Sequence, residues 1–248
     1  AFIDYLLEDF ADEWGTKYMF HYRWHLEVDA DNAGTLLPLF QTINLPAEQL
    51  NHFKPYLTER QVGRLHVVGS NDVTAPVIDA SYKRLLTAME AHLTQQPYLM
   101  GNRPGASDFA LYGQLTQLVG FDPTPRVIAH SLSPRTVAYT SLMEDQNGLE
   151  PKASDWGTAE TVPETLKAIL NEVGHVYAPA LLANAQAMQA GEKTWEAEID
   201  GSRWTQQTFN YQGKCLQWIN AEYQALSQAD RARVDGLLAG TGCEKILF

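Results

Sequence analysis

The segment 102–115 contains a sharply specified helix start, and it constrains the fold more than any other part of the sequence. Pro104 and Gly105 end the element before them, because proline and glycine interrupt regular helix. Gly105 suits the N-cap position, and the Asp108 carboxylate, three residues later, can accept a hydrogen bond from the backbone N–H at the cap. We therefore predict Gly105 and Asp108 as structural N-capping residues of a buried helix. Its apolar face repeats at three- and four-residue spacing: Leu111, Tyr112, Leu115, Leu118 and Val119.

Helical periodicity of the same kind covers most of the remaining chain. It predicts helices at 2–25, 76–95, 134–145, 163–190 (either one helix or two broken at Pro179), 211–226 and 229–239. Prolines and glycines divide residues 26–71, where we expect only short helices, best supported at 45–50 and 58–61. Asp200-Gly201 is a two-residue turn that matches strand twist, and it predicts a β-hairpin at about residues 195–206. The predicted fold class is all-α with one short β-hairpin.

Charge and composition exclude several classes of function. The formal charge of −12 and the absence of a Lys/Arg cluster argue against nucleic-acid binding, which needs a basic surface. No apolar run is long enough for a membrane helix. Residues 1–31 hold eight carboxylates, which we interpret as a solvated helix face. Cys215 and Cys243 are the only cysteines and lack metal-type spacing, so we expect a reducing, cytoplasmic setting, with Cys215 as a buried small hydrophobe.

Three stretches together resemble a known family. The amphipathic helix at 76–95, the loop ending Leu-Met-Gly-Asn-Arg-Pro at 99–104 and the capped helix that opens Asp108-Phe109-Ala110 resemble the C-terminal all-helical domain of glutathione transferases. The family usually has Ser or Thr where Gly105 stands. Pro134 opens a segment similar to the next helix of the family, and residues 8–24 resemble the first helix of that domain in a bacterial subgroup.

The resemblance implies a domain organisation. It covers residues 1–146 as a glutathione-transferase C-terminal-like helical bundle, and residues 147–248 form a C-terminal extension. We expect the extension to pack on this core within a single helical domain, 1–248, because no flexible linker separates the two. In the family, a thioredoxin-like domain precedes the helical domain and binds the co-substrate glutathione. No part of this chain resembles that domain, so we expect the chain to be part of a longer protein and to contain no catalytic residue and no cofactor.

The first helix carries the candidate substrate-binding residues. In the family this helix contributes to the pocket for the electrophilic second substrate. Aromatic faces bind an apolar acceptor, and a Tyr hydroxyl or a His can orient its leaving group. The alternative is that the same side chains fill the helical core or a seam with the absent domain. The residues concerned are Trp14, Tyr18, His21 and Tyr22.

Two other chemical patterns are weaker. His21 and His25 have the i, i+4 spacing of metal ligands, but the glutamate of a metalloprotease pattern is missing, and we predict no metal site. Val162-Pro163 is similar to the pair that marks the glutathione site in thioredoxin-like domains, but a helix follows it, so Pro163 is interpreted as a proline in the first helical turn.

The sequence thus predicts the helical, acceptor-binding portion of a glutathione-transferase-like protein, which conjugates glutathione to an electrophile when joined to its thioredoxin-like domain. The alternatives are a non-catalytic binding or dimerisation module of the same fold, with a possible homodimer, and an unrelated helical metal enzyme that uses His21 and His25.

Overall fold

The computed structural model describes residues 1–158 and 161–248. Twelve α-helices and one antiparallel hairpin make up this part of the chain, which confirms the all-α class with a single hairpin. The helices are α1 (Phe2–Glu13), α2 (Gly15–His25), α3 (Glu27–Gln41), α4 (Ala47–Val62), α5 (Ala75–His92), α6 (Ala106–Gly120), α7 (Pro123–Leu132), α8 (Pro134–Glu144), α9 (Glu164–Glu172), α10 (Ala178–Gln189), α11 (Asn210–Ala225) and α12 (Gln228–Leu238). The strands are β1 (Thr194–Ile199) and β2 (Ser202–Gln207), joined by the turn at Asp200-Gly201.

One large apolar core holds these elements together. α1 packs most extensively against α6, α5 packs against α9, and β1 packs against α10. The core includes Leu6 and Leu115 from residues 1–146, and Leu166, Trp204 and Ile219 from residues 147–248, all of them buried. Burial of a single large apolar side chain contributes roughly 1.5–3 kcal/mol, so the two segments stabilise each other through this shared core.

The start of α6 is held by two carboxylates. Asp108 accepts hydrogen bonds from the backbone N–H groups of Gly105 and Leu99, both at 2.9 Å. Asp4 of α1 accepts from the backbone N–H of Ser107 at 3.2 Å and from its hydroxyl at 2.6 Å. A Cβ at Gly105 would collide with the Asp4 carboxylate, so glycine permits the close approach of α1 to this helix end. The cap therefore joins α1 to α6 as well as starting the helix.

Two segments differ from the sequence prediction. Residues 26–71 form two substantial helices, α3 and α4, in place of several short ones. Pro38 lies in the last turn of α3, and Pro55 lies inside α4, which is a surface helix without a buried residue. A carbonyl that loses its hydrogen bond to proline is solvated at such a surface, so the proline does not end the helix. The single helix predicted at 2–25 is divided, since α1 ends at Glu13 and α2 begins at Gly15.

The predicted helix at 163–190 is interrupted by a π-helical turn. α9 ends at Glu172, the π turn runs over Val173–Tyr177, and α10 follows directly. Pro179 lies in the first turn of α10, where a proline needs no backbone hydrogen bond. Pro163 is the N-cap of α9 and not its first helical residue. π turns of this kind recur at functional sites, and this one borders an open cleft between α5 and α9.

Candidate functional site

A cleft of about 460 Å³ lies between α2, the start of α5 and the start of α7. His21, Tyr22 and His25 line it from α2, Asp79 from α5 and Thr124 from α7. The three residues of α2 share one side of the helix near its C-terminal end, because His25 follows His21 by four residues and Tyr22 by three. The cleft is small, open to solvent and walled by aromatic and titratable side chains.

His21 is a neutral imidazole in the wall of this cleft. Its side chain is buried, and Nδ1 is hydrogen-bonded to the hydroxyl of Ser70 at 2.8 Å. Burial lowers the pKa of His21 to about 4, and the nearby His25 acts in the same direction. The two imidazole rings stack with their centroids 4.7 Å apart. At neutral pH, His21 is therefore an uncharged, almost inaccessible ring that borders the cleft.

Tyr22 is fixed by a carboxylate on the neighbouring helix. Its hydroxyl donates to Asp79 Oδ1 at 2.8 Å, and Lys83 Nζ donates to Asp79 Oδ2 at 2.6 Å. Burial and the adjacent Asp79 raise the pKa of Tyr22 far above its usual value. Tyr22 is thus a neutral phenol with an oriented hydroxyl, and its proton is not available to a base near neutral pH.

Trp14 and Tyr18 lie deeper, in the interior of the fold. Both are essentially inaccessible to solvent. The indole N–H of Trp14 donates to Ser81 Oγ at 3.2 Å, and the Tyr18 hydroxyl donates to the same oxygen at 2.7 Å, because Ser81 gives its own proton to Glu172 at 2.5 Å. The Trp14 ring also packs against Trp204 of β2, with the centroids 5.3 Å apart.

The four residues singled out from the sequence are therefore divided by the fold. All four side chains are buried, but His21 and Tyr22 border the cleft, whereas Trp14 and Tyr18 lie one or two helical turns further toward the start of α2 and do not reach it. Asp79 and Thr124 also line the cleft, but sequence reasoning missed both. No local signal could have revealed Asp79, since it meets Tyr22 across 57 residues of chain.

The remaining candidate groups are the possible metal ligands and the two thiols. Across residues 1–158 and 161–248, no group of three or more His, Cys, Asp or Glu side chains is arranged to hold a metal ion. Cys215 and Cys243 are buried free thiols. Burial raises the pKa of both, that of Cys243 to about 12, so both thiols are protonated at neutral pH.

A search of the helices in residues 1–158 and 161–248 finds none long and apolar enough to cross a membrane.

Comparison with known proteins identifies one part of the chain. Residues 71–143, which span α5 to α8, match the family described as glutathione S-transferase, C-terminal domain. No curated protein and no solved structure matches the chain. The matched segment supplies one wall of the cleft through Asp79 and Thr124, and α2 with His21 and Tyr22 lies outside it. This match and the helical architecture support a helical domain similar to the C-terminal domain of glutathione S-transferases.

Proposed function

We propose that this chain is the acceptor-binding, helical portion of a glutathione-transferase-like protein and that the cleft between α2 and α5 receives the electrophile. The observation that carries this proposal is the position of His21 and Tyr22 in the wall of an open cleft, beside the segment that matches the family. Pockets lined by aromatic rings with a few oriented polar groups are the usual binding sites for small apolar molecules.

The chemistry of the cleft fits a planar, electron-poor acceptor. The imidazole of His25, partly exposed in the cleft, provides a flat surface that a planar ring can contact, and the buried rings of His21 and Tyr22 pack behind it. The hydroxyl of Tyr22 is oriented by Asp79 and can orient a polar substituent of the acceptor in turn. Trp14 and Tyr18 support this wall from behind, through Ser81 and the aromatic contact between Tyr18 and Tyr82.

Thiol activation is proposed to occur elsewhere in the whole protein. A thioredoxin-like domain joined to this chain would bind glutathione as co-substrate and lower the pKa of its thiol, and the chain itself would contribute no catalytic residue. The free, protonated thiols of Cys215 and Cys243 agree with a reducing cytoplasmic location and with a non-nucleophilic role for both cysteines.

Acceptor binding can be measured on the chain alone by quenching of its tryptophan fluorescence with chlorodinitrobenzene. Ala75 lines the cleft, so Ala75→Leu partly fills it. We expect this variant to weaken binding by about tenfold or more, because a well-fitted apolar contact contributes about 1.4 kcal/mol or more. Ala221→Leu on the exposed face of α11 is the matched control and should bind as the wild type does. Equal affinity of Ala75→Leu and the wild type for chlorodinitrobenzene would show that this cleft is not the acceptor site.

A second candidate function is a non-catalytic binding or dimerisation module, and one observation favours it. The α3–α4 region exposes large apolar side chains, including Phe40, Ile43, Phe53 and Tyr56. Contiguous exposed apolar surface often marks a protein interface. If this surface forms a homodimer, Phe40→Ser combined with Ile43→Ser should convert a dimer to a monomer in sedimentation equilibrium. A wild-type chain that is monomeric at every concentration tested would exclude homodimer formation through this surface.

A further inference from the structure

Helices α1 and α11 lie side by side and form a surface that is separate from the acceptor cleft. Phe2 contacts Tyr223 near one end of the pair. Gln212 donates a hydrogen bond to Glu13 near the other end, so the two helices run antiparallel. Positions 211, 215, 218 and 222 of α11 recur at four- and three-residue spacing and form one strip of that helix beside α1. The surface shares no residue with the lining of the acceptor cleft.

Two aromatic side chains of this strip are exposed to solvent. Tyr211 is 57% exposed and Trp218 is 44% exposed. Their rings meet edge to face, with the centroids 5.8 Å apart. Trp218 is the only tryptophan among the exposed large apolar side chains of residues 1–158 and 161–248. Tryptophan is largely buried in most folded proteins and is enriched at interfaces, so this pair indicates an interaction surface.

The neighbouring helix supplies negative charge that no cation compensates. α1 carries five carboxylates and no basic residue, and α11 adds Glu222 and one lysine, Lys214. Glu8 and Asp12 are four residues apart on α1, a spacing at which like charges repel. Neither of these two side chains has a hydrogen-bond or ion-pair partner in the part of the chain that the structure describes. Burial and three neighbouring carboxylates raise the pKa of Glu8, and burial raises the pKa of Asp12.

The aromatic rings and the carboxylates are close to one another. The Cys215 thiol and three carboxylates of α1 raise the pKa of the Tyr211 hydroxyl, so this ring lies within electrostatic range of that helix. Burial and carboxylates from both helices raise the pKa of Tyr5 on α1. We call this surface the α1–α11 face, and its members are Tyr5, Glu8, Asp12, Tyr211, Trp218 and Glu222.

Arginine is the side chain whose chemistry fits both kinds of group on the α1–α11 face. Its planar guanidinium stacks on the rings of tryptophan and tyrosine, and it donates paired hydrogen bonds to carboxylates. Lysine presents a point charge on a flexible stem and lacks the planar surface. Since the face has several carboxylates beside its rings, a segment with several arginines is more complementary to it than a single cation.

We propose that the α1–α11 face binds an arginine-rich segment of a partner protein. One guanidinium stacks on Trp218 or Tyr211, and others pair with Glu8, Asp12 and Glu222. The positive charge of the segment relieves the repulsion between carboxylates along α1, so charge complementarity selects this partner over a neutral or acidic one.

The test is a calorimetric titration of the chain with a peptide of alternating arginine and glycine, and with the same peptide carrying citrulline in place of arginine. Citrulline keeps the shape of the arginine side chain and lacks its charge. We expect the arginine peptide to bind, and the citrulline peptide to bind at least about tenfold more weakly. Binding of the arginine peptide should also weaken as the salt concentration rises.

Three results would overturn the proposal. The first two are equal affinity for the two peptides and no binding of the arginine peptide. The third is binding by the chain but not by the full-length protein in the same titration, because another part of that protein would then cover the α1–α11 face.

Two variants locate the binding. Glu8→Gln removes a carboxylate without changing its shape and should weaken the arginine peptide about threefold. Trp218→Leu keeps an apolar side chain, removes the aromatic ring and should weaken the peptide about threefold or more. The matched controls are Glu48→Gln and Tyr56→Leu, both at exposed positions of α4. Affinity that falls as much in the controls as in the face variants would reflect general attraction to an acidic protein and would refute this location.

Discussion

Lys17 is a buried cation, and its titration provides a quantitative test of the packing between α2 and the hairpin. The side chain is 3% exposed and lies against the rings of Trp14 and Trp204, 5.5 and 5.6 Å from their centroids. Its ammonium group donates to Gln206 Oε1 at 3.0 Å and to the Val68 carbonyl at 3.4 Å. Burial lowers the pKa of Lys17 from 10.5 to about 8, although Glu13 acts in the opposite direction.

The size of the effect follows from this shift. Because the pKa of Lys17 is lower in the folded than in the unfolded state, the unfolded state binds more protons, and the stability contribution of Lys17 rises with pH. Burial of the charged Lys17 lowers the free energy of unfolding by about 3 kcal/mol near pH 7, since each pKa unit corresponds to about 1.4 kcal/mol. The cost falls to about 2 kcal/mol near pH 9, where the folded side chain is mostly neutral and the unfolded one is still charged.

Lys17→Met keeps the aliphatic volume and removes the titrating group. Gln206 Oε1 retains a donor, because the Trp204 indole N–H also donates to it at 3.1 Å. We expect the variant to be at least as stable as the wild type near pH 7, with an advantage that shrinks by about 1 kcal/mol between about pH 7 and pH 9. Urea unfolding at both pH values measures this difference. Lys214→Met, at an exposed site, should show no pH-dependent difference from the wild type. If the stability advantage of Lys17→Met over the wild type stays constant or grows with pH, Lys17 does not have the lowered pKa of a buried lysine.

Three further outcomes are expected. Asp108→Ala should lower the free energy of unfolding by about 3 kcal/mol in urea titrations, because it removes the acceptor of two backbone N–H groups and one tyrosine hydroxyl; a loss below about 1 kcal/mol would contradict the capping role. Cys215 and Cys243 should resist a thiol reagent in the native protein and both react after unfolding, and rapid native labelling of either would contradict their burial. The chain alone should not conjugate glutathione to chlorodinitrobenzene, and turnover by the purified chain would disprove the absence of catalytic residues.

The sequence was most informative where structure is decided locally. The hairpin is predictable from the sequence because Asp200-Gly201 favours a tight turn. The start of α6 is predictable because Gly105 and Asp108 are three residues apart, the spacing of a helix cap. α3 and α4 are longer than the sequence predicts because Pro38 and Pro55 lie in helices near the surface, where proline is better tolerated than in a buried helix. At a solvated surface the lost hydrogen bond costs less.

The candidate site is only partly predictable from the sequence, since the solvent exposure of a side chain depends on tertiary packing. Periodicity shows that Trp14, Tyr18, His21 and Tyr22 share a face of the first helical segment, but it does not show which end of that face meets solvent. Trp204, 190 residues away in sequence, packs against Trp14 and buries that end of the face. The partners of Tyr18 and Tyr22 on α5, Ser81 and Asp79, are 63 and 57 residues away in sequence.

The most direct test of the proposed function is steady-state conjugation of chlorodinitrobenzene by the full-length protein, with glutathione and the electrophile varied separately. Tyr22→Phe removes the hydroxyl that Asp79 orients, and Tyr56→Phe, on the exposed surface of α4, is the matched control. We predict turnover by the wild type, a KM for the electrophile raised about threefold or more in Tyr22→Phe, and an unchanged KM for glutathione in both variants. Absence of turnover by the full-length protein, or a change confined to the KM for glutathione, would contradict an acceptor-binding role for this domain.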